Sequence, residues 1–332
     1  MIQEMIHVPF PGTPYPDVDI LRQRVFEWFR SYGMLNADAA VLKHLSADIA
    51  GLGGSWYDAP VENILLPTCA PILAAMIDDQ VDGALDRRPD LVAQLVNDLN
   101  SVMYTDPHVF SFPDAAVVQA FSGLWAGSAQ GMSARWTAHL RSAWEQYYNA
   151  YIVETHNRFS GSMMKIDEYI PFRRESGYMY VGIAYLEQVQ GFEVPPALRA
   201  MPQIRELHNI CCDVISIAND IHSLEKEEKR GEIHNIAILL QHERHCSRHE
   251  AIDTTCKMIH EWCERFFVLE NEIPVICQSF RLPEEITTAV QAHVTGLGKL
   301  IGGYCAWGRT TRRYHAYNAT TADQPGFPES YL

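Results

Sequence analysis

Two acidic segments of this 332-residue chain have the residue types and spacing to hold metal ions. The first is Asp78-Asp79-Gln80-Val81-Asp82. The second runs from Asn219 through Asp220, Ser223 and Lys226 to Glu227. On a helix, Asp78 and Asp82 project from one face a turn apart, with Asp79 about 100° around. Three carboxylates so close repel one another unless cations or arginines neutralise them. Asn219, Ser223 and Glu227 recur every four residues and stay on one helical stripe. An amide oxygen, a hydroxyl and a carboxylate suit Mg²⁺, with room for an anionic ligand to complete the shell. Lys226 stands where it could meet a phosphate oxygen. Read alone, the first segment could equally be an exposed acidic helix end, and the second a polar helix end with solvated ion pairs, though there the metal reading already leads. Read together, they are two oxygen-rich walls for divalent cations and a diphosphate.

The elements that must position these walls read as helices. Leu21, Val25, Trp28 and Phe29 fall at helical spacing. Residues 37–50 form a helix stopped by Gly51-Leu52-Gly53-Gly54, and residues 61–83 are apolar up to the first acidic segment. One or two helices fill 114–158, with breaks at Ser160-Gly161 and Glu175-Ser176-Gly177. Residues 203–228, 249–281 and 284–307 supply three more. No alternating strand pattern, repeat or linker interrupts them. The expectation is one all-α domain of about ten helices over residues 17–315, an extended N-terminal arm over 1–16, and a polar tail over 316–332.

Bulk properties narrow the function. A net charge of −15 disfavours nucleic acid and anionic membranes as partners. No run of 18 apolar residues predicts a membrane span, and the acidic, proline-containing start does not read as a signal peptide. Eight cysteines without a Cys-x-x-Cys pair read as buried free thiols in a reducing cytoplasm. The only protein partner to consider is a second copy, as a homodimer. His242, His245, Cys246 and His249 have zinc-like spacing, but the charged stretch around them reads as a surface connection. His222 reads as structural, and Arg158 with Glu154 as a buried ion pair.

The Asp-Asp-x-x-Asp run together with Asn-Asp-x-x-Ser-x-x-x-Glu resembles the class I terpene cyclases, in their compact single-domain bacterial and fungal form. Arg173 lies 46 positions before Asn219, where that family carries a diphosphate-sensing arginine. Ser176 and Gly177 fall at the positions that follow it, Lys226 at the family's lysine before the motif glutamate, and Arg313-Tyr314 at its C-terminal Arg-Tyr pair. The resemblance spans residues ~18–315 by the helix count. It implies an all-α bundle around a central apolar cavity and a lyase that takes a linear prenyl diphosphate. It implies three Mg²⁺ ions held by Asp78, Asn219, Ser223 and Glu227, with Asp82 assisting. Diphosphate would be bound by Arg173, Lys226, Arg313 and Tyr314, and when the site closes Asp79 would pair with an arginine, Arg173 being the candidate. Gly177 would turn a carbonyl toward the carbocation.

Trp307 is the leading aromatic candidate for the pocket, with core packing the equal alternative. Tyr178 and Phe172 rank behind it. Ala74 and Ala75 stand where many relatives carry an aromatic residue, so either the base of the pocket is enlarged or another helix fills it. Farnesyl diphosphate is the favoured substrate and geranylgeranyl diphosphate the second. An elongating prenyltransferase of the same fold and a non-catalytic helical binding protein are the alternatives. The Asn/Ser/Glu segment in place of a second aspartate-rich motif argues against elongation.

Overall fold

A computed structural model describes residues 6–104, 108–314 and 328–332; within them there are fourteen helices and no strand. The helices that position the site are α1 (Val18–Ser31), α2 (Asp38–Ala47), α3 (Ile49–Trp56), α4 (Val61–Val81), α5 (Pro89–Val102), α6 (Ala116–Ser128), α7 (Ala134–Ser160), α8 (Ile166–Ser176) and α9 (Met179–Gln190). After the short α10 (Pro196–Arg199) come α11 (Pro202–Arg230), α12 (Ile236–Arg244), α13 (Arg248–Ser279) and α14 (Glu284–Thr310). Helices α3, α4, α7, α8, α11 and α14 wall a central cavity, with α9 entering at its base.

Helix α4 is apolar enough by composition to cross a membrane, but it lies within the bundle, packed on α1, α3, α6 and α9. Fifteen of its residues are buried, which explains its continuous hydrophobicity. Pro67 and Pro71 lie inside it, where each removes an intrahelical hydrogen bond. Helix α11 is likewise buried along most of its length. It stops at Gly231 in a left-handed conformation (φ 69°), the backbone geometry that favours glycine after a helix.

The expected helix over 37–50 is two helices. Asp48, itself left-handed (φ 47°), separates α2 from α3, and its carboxylate caps the Gly51 N–H at 3.2 Å. Arg22 grips both oxygens of Asp48, at 2.9 and 2.6 Å. The Gly51–Gly54 stretch continues as α3 because these glycines permit close approach and do not terminate the helix. A Cβ on Gly53 would crowd the Thr68 side chain of α4 at 2.6 Å, and one on Gly54 would crowd Tyr15 at 2.8 Å. Tight packing overrides the weak helix propensity of glycine.

Residues 6–16 have no helix and lie across α13 and α14. Phe10 stacks on Phe267 and meets Phe266 edge-on, both with centroids at 5.0 Å. The tail reading fails for the final residues: Tyr331 is buried and hydrogen-bonded, while 316–327 lie outside the described residues. All eight cysteines are free thiols.

Candidate active site

The cavity is about 360 Å³ and has two chemically distinct halves. Its mouth carries Asp78, Asp82, Glu154, Asn219, Glu227 and Glu232, answered by Arg158, Arg173, Lys226, Arg230 and Arg313. Its base is formed by Leu52, Trp56, Ala74, Tyr178, Met179, Ile215 and Trp307.

On the first wall, the last turn of α4 presents Asp78 to the cavity and turns Asp79 inward. Burial, followed by the neighbouring Asp82 and Asp79, pushes the Asp78 carboxyl up to about 7. Asp79 is as enclosed, yet Arg313, Lys43 and Lys226 outweigh burial and hold it down at about 2. Its partners are Lys43 at 2.9 Å and one arginine, Arg313 at 3.7 Å, while Arg173 pairs with Asp220. Asp82 accepts from Arg230 at 3.1 Å and lies 3.7 Å from Arg158; burial still pushes its carboxyl upward. Arg158 also pairs with Glu232 at 3.2 Å, so the expected Arg158–Glu154 pair gives way to a link joining both walls. Glu154 lines the cavity, raised by burial.

On the second wall, Asn219 and Glu227 reach the cavity from α11. Asn219 is fully engaged: its Oδ1 accepts from Arg173 at 2.9 Å, and its Nδ2 donates to Tyr304 and Tyr314 at 3.0 and 2.8 Å. Ser223 is buried behind them and donates to the Asn219 carbonyl at 2.8 Å, leaving its lone pairs as acceptor sites. Glu227 accepts from Asn235 at 2.8 Å. Burial and then Asp220 push the Glu227 carboxyl to about 8, against the pull of Ser223 and Asn235.

Arg173 is fixed by Asp220 (3.0 Å), Asn219 and Ser176 (3.3 Å). Asp220 in turn accepts from Tyr169 and from the Ile236 N–H, at 2.8 and 2.9 Å. Gly177 closes α8 by donating to the Arg173 carbonyl at 2.8 Å. Its φ of −83° suits any residue; the need for glycine is spatial, because a Cβ would overlap Ser216 Oγ. Tyr178 next in sequence carries the strain, with φ 69° and its ring in the cavity.

Trp307 lines the cavity while its indole N–H donates to the Ala47 and Asp48 carbonyls, both at 2.9 Å, so it serves pocket and core at once. Phe172 instead faces His234. Ala74 and Ala75 both line the cavity, and α7 approaches beside them, with Tyr147 lining the same cavity. Tyr147 and Tyr151 hydrogen-bond to each other, and both hydroxyls reach the Ala74 carbonyl at 3.5 Å. His222 is buried against Tyr304 at 5.8 Å, and burial lowers it to about 4. His242, His245, Cys246 and His249 straddle the α12–α13 corner, and no group of three or more His, Cys, Asp or Glu placed to hold a metal occurs among the described residues.

Sequence reasoning missed Arg230, Tyr147, Tyr304 and Lys43, and gave Asp220, inside the second segment, no role. Arg230 and Lys43 look like ordinary surface cations in sequence. Tyr304, ten residues before Tyr314, and Tyr147, amid a Trp- and Tyr-rich helix, had no local signal to separate them from core.

The donor set fits a hard divalent cation. All the candidate ligands are oxygens. Burial first, and neighbouring acids second, push Asp78 up to about 7 and Glu227 up to about 8, so a cation bound between them would favour their ionised forms.

Fold and site thus define a helical, metal-binding enzyme that handles a diphosphate above an apolar pocket. The sequence matches the family model described as terpene synthase family 2, C-terminal metal binding, over residues 72–265. The chain belongs to this family and is a terpene synthase, a lyase. It is 28% identical to a 7-epi-alpha-eudesmol synthase ((2E,6E)-farnesyl diphosphate cyclizing) of Streptomyces viridochromogenes over 88% of this chain and 81% of that protein. It is 27% identical to a pentalenene synthase of Streptomyces exfoliatus over 97% of this chain and 96% of that one. Among solved structures, a single-site variant of cucumene synthase superposes with a TM-score of 0.84, at 29% identity, over 93% of this chain and 100% of that one.

Proposed function

We propose that this enzyme binds farnesyl diphosphate with Mg²⁺, ionises it and cyclises the resulting cation to a sesquiterpene. The observation that carries this reading is the division of one cavity into a charged mouth, where Asp78 and Asp82 face Asn219 and Glu227, and an apolar base. Relatives named for cyclising farnesyl diphosphate support the C15 chain. So does a cavity near the lower end of the roughly 300–1,000 Å³ usual for small-molecule sites. Geranylgeranyl diphosphate is the second choice, disfavoured by the same cavity size. Eight free thiols support a reducing compartment such as the cytoplasm.

In this reading, Asp78, Asp82, Asn219, Ser223 and Glu227 hold three Mg²⁺ ions, which when bound neutralise the diphosphate and lower the barrier to its departure. Arg173, Lys226, Arg313 and Tyr314 bind the diphosphate oxygens. The allylic C–O bond breaks, its electron pair leaves on the diphosphate oxygen, and these cations stabilise the charge that develops there. Arg173 donates to Asn219 Oδ1, an oxygen that would also serve a metal, so the guanidinium stands beside the place where the diphosphate would bind. Ser176 steadies Arg173 from the same helix. Trp56, Tyr178 and Trp307 line the same cavity, where aromatic faces stabilise a cation, and Gly177 lines it at the helix break. The apolar base excludes water until a proton is lost or a final water is captured.

The test is incubation with C10, C15 and C20 prenyl diphosphates and Mg²⁺, measuring released diphosphate and analysing hydrocarbon by gas chromatography–mass spectrometry. Cyclic C15 products with metal-dependent release are expected. C20 cyclisation alone would replace the substrate assignment. Chain elongation on adding isopentenyl diphosphate would replace cyclisation by prenyl transfer, and absence of release from every substrate would overturn the reading.

A further inference from the structure

Gln80 lies inside the first acidic segment yet faces away from the cavity. Its side chain is buried against the last residues of the chain. The amide grips the tail backbone in both directions: Nε2 donates to the Glu329 carbonyl at 3.0 Å, and Oε1 accepts from the Tyr331 N–H at 3.1 Å. Such two-point pairing fixes the rotation of the Gln80 side chain, and with it the last turn of α4 that carries Asp78, Asp79 and Asp82.

The same tail residues tie down the corner between α1 and α2. Leu35 there has a left-handed backbone (φ 60°), and its N–H donates to the Tyr331 hydroxyl at 3.1 Å. The Glu329 carboxylate accepts from the Asn36 and Ala37 N–H groups at 2.9 and 3.3 Å, and from the Tyr331 hydroxyl at 3.2 Å. Ala37 is the N-cap of α2 and cannot cap with its own methyl group; Glu329 supplies the negative charge that a helix start favours. Helix α2 then carries Lys43 to Asp79 at 2.9 Å. The Tyr331 carbonyl also accepts from Val117 at the start of α6, at 3.3 Å. Three elements next to the first wall therefore converge on Glu329 and Tyr331.

We propose that the C-terminal segment 328–332 is a positioning strap for the first metal wall, acting through Gln80 directly and through α2 and Lys43 indirectly. Gln80, Glu329 and Tyr331 are positioning residues; none lines the cavity. The inference rests on the reading of Asp78 and Asp82 as Mg²⁺ ligands. Residues that orient metal ligands from behind typically change metal affinity by roughly 10–100-fold when lost.

The experiment compares wild type with Gln80→Met, which keeps the volume and removes both hydrogen bonds, and with deletion of residues 328–332. Calorimetry with Mg²⁺ and inorganic diphosphate reads binding without turnover. Hydrogen exchange reads the amides of 79–82, and Mg²⁺ titration of product formation reads the half-saturating metal concentration. For Gln80→Met the expected result is binding weakened about tenfold, faster exchange at 79–82, and a raised half-saturating Mg²⁺. At saturating Mg²⁺ its KM should return to near the wild-type value. The deletion, where it folds, should be at least as impaired. A folded Gln80→Met with lowered Tm but wild-type Mg²⁺ dependence would reduce the tail to a purely structural role and overturn the strap alone. A wild-type protein that binds no Mg²⁺ with diphosphate overturns the site assignment and the strap with it.

Discussion

Replacing Gly177 by alanine tests whether the α8–α9 break must be closely packed for ionisation. The added Cβ would overlap Ser216 Oγ, lie 2.9 Å from Ser216 Cβ and 2.7 Å from the Arg173 carbonyl. Carbon atoms separate at about 3.5–4.0 Å, so the break must retreat from α11 by roughly 0.6–1 Å. Overpacking of this kind costs about 1–3 kcal/mol of stability. The larger effect falls on Arg173, whose carbonyl receives the Gly177 N–H and whose guanidinium holds Asn219 and Asp220. A displacement near 1 Å at a positioned group is worth up to ~100-fold in rate, so kcat should fall by about that factor while the fold persists. Ser216 Oγ is buried without a hydrogen-bond partner, so Ser216→Gly removes the obstruction at no polar cost. That change puts a glycine inside α11, at about 1 kcal/mol of stability. The double variant Gly177→Ala/Ser216→Gly should recover part of kcat, limited by the remaining contact with the Arg173 carbonyl. Steady-state diphosphate release with each variant, alongside thermal unfolding, measures both effects. Wild-type kcat in Gly177→Ala, or a double variant no faster than the single, would refute the packing argument.

Four further outcomes are expected. Asp78→Asn should abolish Mg²⁺-dependent diphosphate binding in calorimetry, whereas Asp79→Asn should lower Tm first, because it strips Lys43 and Arg313 of their shared partner. Glu227→Gln should raise Tm of the metal-free protein at neutral pH while eliminating turnover, since the fold disfavours the ionised carboxyl there; a lowered Tm would contradict the assignment. Ala75→Phe should narrow the cavity and shift products toward shorter or less cyclised species, and an unchanged chromatogram would count against Ala75 as a pocket residue. His44 and His139 are held near 4 by burial, so the unfolded chain binds more protons below about pH 6.5 and stability falls as pH drops from there toward 4. Each contributes up to ~1.4 kcal/mol per pH unit, and His44→Phe should flatten the denaturation-versus-pH slope.

Much of the site was legible because its acids sit at helical spacing beside apolar runs. Asp78, Asp82, Asn219 and Glu227 reach one cavity because i, i+4 and i, i+8 positions share a helix face wherever the helix is straight. What could not be read were choices made across the fold. Asp79 takes Lys43 and Arg313 while Arg173 takes Asp220, and nothing local distinguishes these pairings. The same holds for Gly51–Gly54, where a stop signal in sequence is a packing requirement against Thr68 and Tyr15 in space. Ala74 left open whether the pocket is enlarged or filled by another helix, and the approach of Tyr147 and Tyr151 from α7 to its carbonyl had no local signal in the sequence.

The charge arrangement sorts the acids by task. Asp79 has two cations within 4 Å and sits at about 2, so it is settled without a ligand. Asp82 has Arg230 and Arg158, yet burial still raises it, which makes it a carboxylate that a cation would relieve further. Asp78 has only Arg313 at 3.9 Å as an ion-pair partner among the described residues and rises to about 7. Glu227 has neutral donors alone and rises to about 8. A protein folding for stability alone would not keep two such carboxyls opposite each other in one cavity, because each costs more ionised than paired. Their persistence is explained if positive charge arrives with the substrate. The chain's surplus of acid is thus left unneutralised at one point on α4 and one on α11, the two places where the proposed metal ions would bind. The arginines at the same mouth wait on carboxylates and amides that metal would take from them.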